Sequence, residues 1–421
     1  MIKSFSADKK QLVSNFFSLS SVEAVNYIFP LITLPYLVRV LGPEKFGLIA
    51  FAQAFVQYFV LFTDYGFNLS ATRNISIHRN DIEKVSHIFT VIVCVKFCFM
   101  LMNFITFSAL VFLIPKFKPD WVLYYCCFGS VIGNVLLPIW LFQGMERMKS
   151  MAFLNLIAKA IFLIAIFIFV RKQSDYLYVP LLTAIGGIVA GILSIAIAFR
   201  KFHIRLKPIS VADMSREVKE GLHIFMSTVS TNLYTSTNTF LLGLFTNNTI
   251  VGYFSAGEKV VRALIRMFNP VFQSVYPYIS KVAVISKDEA IKKIRKLFRL
   301  SLYLSVPLFV VIVFFADNIT RIILGPGFTE STLIIRILSP LLLIIPAAYI
   351  FANLGLLPFR LDKYFLRIYA SGALLNVVFM TFFVGILKFS GAGAALSNII
   401  TESVLTILMY FVLKTNKIVL I

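Results

Sequence analysis

Acidic side chains are scarce in this chain: 19 Asp and Glu stand against 40 Lys and Arg in 421 residues, and charged types of both signs make up only 14%. Cysteine is scarcer still. Cys94, Cys98, Cys126 and Cys127 all fall in apolar stretches, where a free thiol behaves as a small hydrophobe, so neither a disulfide framework nor a metal site is expected. His78, His87, His203 and His223 have no metal-ligand spacing, and no glycine-rich loop is followed by Lys and Ser or Thr to cradle a nucleotide phosphate. Those absences argue against a metalloenzyme and against nucleotide hydrolysis. The first fifteen residues are polar and lead into a full-length apolar stretch with no small-residue cleavage site, which reads as a retained anchor.

What fills the chain is apolar sequence. Hydrophobic residues make up 59%, and many segments are apolar on every face, as a lipid-embedded helix must be. Stretches near the ~20 residues that cross a bilayer fall at 16–40, 46–67, 85–114, 121–142, 151–170, 177–199, 222–245, 251–278, 297–315, 333–351, 365–387 and 394–413. The expected fold is an all-α polytopic membrane protein, with about twelve transmembrane helices in two six-helix bundles around a central cavity.

A formal charge of +21 would suggest nucleic acid for a soluble protein, but the placement of the cations points to topology instead. With the N-terminus in the cytoplasm, 26 of the 40 Lys and Arg residues fall on the cytoplasmic side and 8 on the other. Both termini are therefore expected in the cytoplasm, with no nucleic-acid partner. The loops on the far side are short and leave no room for an extramembrane enzyme domain.

The longest polar interruption, 200–221, falls between the sixth and seventh spans and divides the chain into halves 1–207 and 208–421. After Pro208, Ser210 and Asp213 can open a short helix whose edge of Val211, Met214 and Val218 lies on the membrane surface, or the segment is a solvated tether. A shift of one half sets Gly47 opposite Gly252 at the entry to the second span of each half, a weak match that fits two repeated six-helix units with alternating access. Prolines inside spans, among them Pro138, Pro180, Pro270, Pro277, Pro307, Pro340 and Pro346, favour kinks.

Ionised side chains at membrane depth are costly, about 2.5 to 3.5 kcal/mol for Arg or Lys on insertion scales, so a chain that buries several of them is read as handling an anion. In the eighth span Glu258, Lys259, Arg262 and Arg266 share one helix face, with Glu258 and Arg262 at pairing distance. Lys96 and Lys159 lie nearer the middle of the third and fifth spans, and Asn155 sits one turn before Lys159. Three readings stand for these lysines: cavity cations, neutral amines, or partners of Glu23 or Glu402. Polar faces also recur at Glu23 and Asn26, at Gln53, Gln57 and Asp64, and at Asn398 and Glu402. The acids Glu23, Asp64, Glu258 and Glu402 are either counter-charges or proton or sodium sites. The seventh span is dense in hydroxyls and amides, with Ser227, Thr231, Thr235 and Asn238 along one face; they can bond sugar hydroxyls or neighbouring helices.

The stretches PYLVRVLGPEKFG at 35–47, TDYGFNLSATRNIS at 63–76, WLFQGMERMK at 140–149 and VGYFSAGEKVVRALIRMFNPVFQSVYPYISK at 251–281 together resemble the Wzx-type O-antigen flippases. These belong to the polysaccharide-transport branch of the MOP superfamily, which also holds the MATE exporters. The resemblance runs through the whole chain and departs at Asn238, where the wider family often has an acid. It implies a carrier in the bacterial inner membrane that moves an undecaprenyl-diphosphate-linked oligosaccharide to the periplasmic leaflet, with a lateral gap for the lipid tail beside the first and eighth helices. Lys159, Lys259, Arg262 and Arg266 become the expected head-group ligands, Lys96, Asn155, Thr231, Thr235 and Asn238 further substrate contacts. No cofactor is implied, but coupling to the membrane potential or to a proton or sodium gradient is, together with a polysaccharide polymerase and chain-length regulator as partners. The rival readings are a drug or cation exporter, expected to bury more acid than base, and a membrane-embedded polymerase or ligase, expected to carry a large catalytic loop.

Overall fold

A computed structural model describes the backbone of residues 2–418 and 420, and the side chains from Phe29 onward except at 30, 152, 227 and 230–236. Glu23, Asn26, Ser227, Thr231 and Thr235 therefore lie outside the residues whose side chains are described. Helix makes up 87% of the structure, and no strand occurs among the described residues.

The helices are α1 (Ile2–Asp64), α2 (Phe67–His78), α3 (Ile82–Leu113), α4 (Trp121–Leu136), α5 (Ile139–Gly144), α6 (Met148–Phe169), α7 (Tyr178–Lys201), α8 (Val211–Phe245), α9 (Asn248–Arg266), α10 (Asn269–Ile285), α11 (Lys287–Ile319), α12 (Ser331–Leu338), α13 (Leu341–Tyr349), α14 (Asp362–Met380) and α15 (Ser390–Thr415). Among the described residues, eight helical stretches are long and apolar enough to cross a membrane, nine if the bent run Ser331–Leu338 and Leu341–Leu356 is one span. The rest of a twelve-span plan falls on the start of α1, on the polar α8, and on α9 with α10, where Glu258, Lys259, Arg262 and Arg266 dilute the apolar character.

Local chemistry explains the breaks. Inside α1, Gly42 adopts φ 68 and ψ 174, a conformation open essentially to glycine alone, and Pro43 then starts the next helical run with a pre-set φ. Asp81 caps α3 by accepting from the Lys84 backbone N–H at 3.1 Å, and Ser286 caps α11 from Glu289 at 3.3 Å, with Asp288 and Glu289 at the positive end of that helix dipole. The prolines divide by position. Pro138 separates α4 from α5, Pro270 opens α10, and Pro340 sits at a 41° bend, whereas Pro277, Pro307 and Pro346 are carried inside helices. A wide π-helical turn at Ile350–Leu356 continues the run that carries Pro346.

The helix expected after Pro208 does form, but as the start of α8 and not as a separate surface helix. Asp213 accepts from the Ser210 N–H and hydroxyl, and Met214 and Val218 pack onto a protein core, leaving Val211 exposed.

Packing divides the chain into two compact units: 1–33 with 52–229, and 34–51 with 230–421. The segment 34–51 thus packs with helices encoded much later. Unit 1 has a core of Phe67, Ile75, Val85, Phe89, Trp140 and Phe142, and a second aromatic nest where Phe55 stacks on Phe107 and Phe117. Unit 2 is centred on Phe272, Ile294, Phe298, Phe351, Leu405 and Leu413. Large apolar side chains such as Ile105 and Leu113 on α3, Ile161 and Ile164 on α6 and Phe314 on α11 stay exposed, as lipid-facing positions should.

In unit 2 the entry of the second span meets α9 backbone to backbone. A Cβ on Gly47 would lie 1.8 Å from the Asn248 carbonyl oxygen, and one on Gly252 would lie 2.0 Å from that of Pro43. The two glycines aligned by the internal repeat are what permits this contact.

Candidate functional site

In unit 1, Lys96 lies at the middle of α3 and is 1% exposed. Its ammonium donates to Asp64 Oδ1 at 3.0 Å, to Asn134 Oδ1 at 3.2 Å and to the Asn134 carbonyl at 3.3 Å. The second carboxylate oxygen of Asp64 accepts from Asn68 at 2.8 Å. Three donors on the lysine thus meet three acceptors, which is the condition for keeping a buried ion pair. The counter-charge is Asp64, at the end of the second span, rather than Glu402; the Glu23 side chain lies outside the described residues.

Two cavities lie in the same unit. One, of about 350 Å³, is walled by Phe29 and Thr33 of α1, by Leu154, Asn155, Lys159 and Phe162 of α6, and by Thr183, Gly186 and Gly187 of α7. Asn155 and Lys159 share its wall because they are one helical turn apart. The space exists partly because side chains are missing: a Cβ on Gly186 would meet nothing within 4 Å. The second cavity, about 240 Å³, is lined by Gln53 and Gln57 of the second span, Ser130 of α4, and Thr183. Thr183 borders both, so an amide and hydroxyl track adjoins an apolar groove that carries one lysine.

The cationic face of α9 belongs to unit 2. Arg262 Nε donates to Glu258 Oε1 at 2.7 Å, in the expected i, i+4 pair, and both side chains are largely buried. The Lys259 ammonium sits 4.7 Å from the centroid of the Phe46 ring, a cation–π contact. Arg266 is exposed in the last turn of α9, where a cation complements the helix dipole. Arg336, at the edge of the tenth span, pairs on the surface with Asp317 at 2.5 Å.

Unit 2 also buries neutral amides. Asn238, Asn376 and Asn398 are 1%, 0% and 1% exposed, and their side-chain amides have no hydrogen-bond partner among the described residues. Ser397, beside Asn398, donates to the Asn376 carbonyl at 3.4 Å, which brings α14 and α15 together at this level. Glu402 lies one turn further along α15, also buried. Asn376 was not singled out in the sequence, although a lone amide in GALLNVVFM was there to be noticed; Asn134 escaped for the same reason.

A wide polar cleft of about 710 Å³ forms where α3 begins and α8 begins. The linker crosses it: the Arg205 and Lys207 backbone N–H groups donate to Ser86 and Thr90 hydroxyls at 3.1 and 3.2 Å, and the Lys207 side chain pairs with Glu83. His87 Nε2 lies 3.5 Å from Asp213 Oδ2. Bonds from Ser210 hold the Asp213 carboxyl below its usual range, whereas burial and the neighbouring Glu220 push that of Glu217 up.

Comparison with known proteins adds the following. A family profile described as polysaccharide biosynthesis protein matches residues 12–283. A protein of Escherichia coli (strain K12) named "Putative O-antigen transporter" is 30% identical over 410 residues, spanning 97% of this chain and 98% of its own. Among solved structures, the lipid II flippase MurJ in an inward closed conformation aligns with a TM-score of 0.73 at 15% identity, over 96% of this chain and 87% of that one. An outward-facing MATE-family multidrug resistance transporter of the MOP superfamily aligns with a TM-score of 0.65 at 13% identity, over 97% and 95%. At those identities the structural likeness speaks for the fold.

Proposed function

The chain belongs to the polysaccharide biosynthesis protein family, and from that premise we propose that it is a flippase for an undecaprenyl-diphosphate-linked oligosaccharide, carried from the cytoplasmic to the periplasmic leaflet of a bacterial inner membrane. The O-antigen transporter name of its relative and the flippase and exporter folds of its structural neighbours support transport over catalysis.

The observation that carries the reading is the groove in unit 1, where apolar walls end at Asn155 and Lys159 and adjoin the track of Gln53, Gln57, Ser130 and Thr183. Such a surface suits a ligand that is lipid at one end, anionic in the middle and hydroxyl-rich at the other. In this groove Lys159 acts as a point charge toward a diphosphate; separately, in unit 2, Arg262 and Arg266 carry the planar forks that suit phosphate oxygens. Lys96, satisfied by Asp64 and Asn134, holds α3 to its neighbours.

Export of an anion is favoured by an inside-negative potential, by about 2.3 kcal/mol per charge per 100 mV. The buried Asn238, Asn376, Asn398 and Glu402 are where we place sensitivity to a cation gradient, since amide and carboxylate oxygens are what sodium or a proton would engage. A polymerase and a chain-length regulator receive the product in this scheme.

The test is complementation of a flippase-null strain. Lys159→Ala and Arg266→Ala should each abolish surface polysaccharide while the protein still inserts; normal polysaccharide in both would overturn the reading. Reconstitution in liposomes with a defined lipid-diphosphate oligosaccharide, with and without a potential and ion gradients, then separates the driving forces.

A further inference from the structure

We propose that the end of unit 2 that holds the α10–α11 turn is a docking surface for the phosphodiester head groups of anionic phospholipids. The first turns of α11 have two faces. Ala290, Ile291, Ile294 and Phe298 are buried, whereas Lys292, Lys296 and Arg299 are exposed on the opposite side, and Lys287 is exposed at the helix start.

Other segments bring cations to the same end. The core that buries Ile291 and Ile294 also takes in Leu356, Leu413 and Ile418, and the Lys287 ammonium donates to the Asn416 carbonyl at 2.9 Å. Exposed Arg360, Lys363 and Lys414 stand within a few residues of those anchors. Acids are few here, and one of them, Glu289, is engaged by Lys293 at 3.3 Å. Lys293 also donates to the Tyr278 hydroxyl, which with Glu289 raises the pKa of the ammonium.

Depth argues for lipid. One turn beyond Arg299 the exposed residues of α11 become Leu300, Tyr303 and Leu304, and beside Lys363 stand exposed Tyr364 and Leu366. The cations therefore border an apolar, aromatic-edged belt, which is the level of lipid head groups. Orientation of the chain does not account for the density. Both α3 and α11 open with acids, Asp81 and Glu83 in one and Asp288 and Glu289 in the other, but α11 goes on to Lys292, Lys293, Arg295, Lys296 and Arg299 where α3 turns apolar. A cluster of Lys and Arg beside a spanning helix attracts anionic head groups, and its attraction is screened by salt.

The inference is independent of the transported substrate. The full chain, reconstituted in vesicles of phosphatidylcholine with a minor share of phosphatidylglycerol, is extracted with its bound lipid, and phosphatidylglycerol enrichment is measured by native mass spectrometry. The wild type should enrich phosphatidylglycerol, and high salt should erase that enrichment. K292Q/K296Q/R299Q should lose it by roughly fivefold or more, whereas R200Q/K201Q/R205Q, an equal charge change on exposed cations of unit 1, should keep it. The proposal fails if the wild type shows no salt-sensitive enrichment, if both triple variants behave alike, or if inorganic pyrophosphate binds the patch in preference to phosphatidylglycerol.

Discussion

Unit 1 and unit 2 handle charge differently. Unit 1 takes Lys96 fully inside and surrounds it with Asp64 and Asn134, so that the interior charge is balanced before any ligand arrives. Unit 2 has Arg266 at a helix end and Lys292, Lys296 and Arg299 on an exposed face of α11, keeps the Arg262–Glu258 pair largely buried, and takes neutral amides and Glu402 inside. An ammonium deep in a low-dielectric interior is tolerable only with its partners in place, whereas an exposed cation at a helix terminus keeps its contact with water and gains from the helix dipole. The count of cations is therefore a poor guide to which of them can hold an anion.

The contrast is broken most severely at Lys96. Lys96→Met leaves the Asp64 carboxylate, 15% exposed, without its ion-pair partner, and should cost about 3–5 kcal/mol in thermal unfolding of the purified protein. The double change Asp64→Asn with Lys96→Met should recover most of that loss. A single variant no less stable than the double would remove the buried pair from the account.

Glycines sharpen the comparison next. Gly47→Ala in unit 2 drives a methyl into the Asn248 carbonyl and should destabilise by about 1–3 kcal/mol. Gly186→Ala in unit 1 meets open space and should gain up to about 1 kcal/mol from helix propensity, while narrowing the groove beside Lys159. Equal Tm shifts for the two would contradict the packing described. Arg336→Ala, which removes an exposed pair with Asp317, should change stability by less than about 1 kcal/mol.

The smallest effect is expected in the polar cleft of unit 1. Burial raises the Glu217 carboxyl above its usual 4.5, so the folded state favours the protonated form. That contribution is fully present below the unfolded pKa and is lost as pH rises through the folded one. Glu217→Gln should thus be more stable than the parent at neutral pH, by less than about 1 kcal/mol after solvent screening, and should match it in acid. A pH–stability profile of the two proteins that stayed parallel would refute this.

Features set by neighbours along the chain were legible in the sequence. Most of the spans follow from residues that must face lipid, the Glu258–Arg262 pair from helical spacing, and the shared face of Asn155 and Lys159 from a single turn. The partner of Lys96 was not legible: Glu23 and Glu402 were the acids expected, and tertiary packing brings Asp64 to it instead. Nor was the surface pairing of Arg336 with Asp317. The helix after Pro208 was visible, but its continuity with the seventh span depends on Met214 and Val218 finding a core built from the first half.

The contact between Gly47 and Gly252 has a consequence for biogenesis. During synthesis the first hairpin leaves the ribosome and enters the bilayer long before α9 exists, so its glycine surface must wait uncovered until more than half of the protein has been made. Non-local contacts of this kind form late. An insertase that shields the hairpin, or a pause in translation after α9, would decide how many copies mature, and defects at Gly47 should surface as degraded chains rather than as slow carriers.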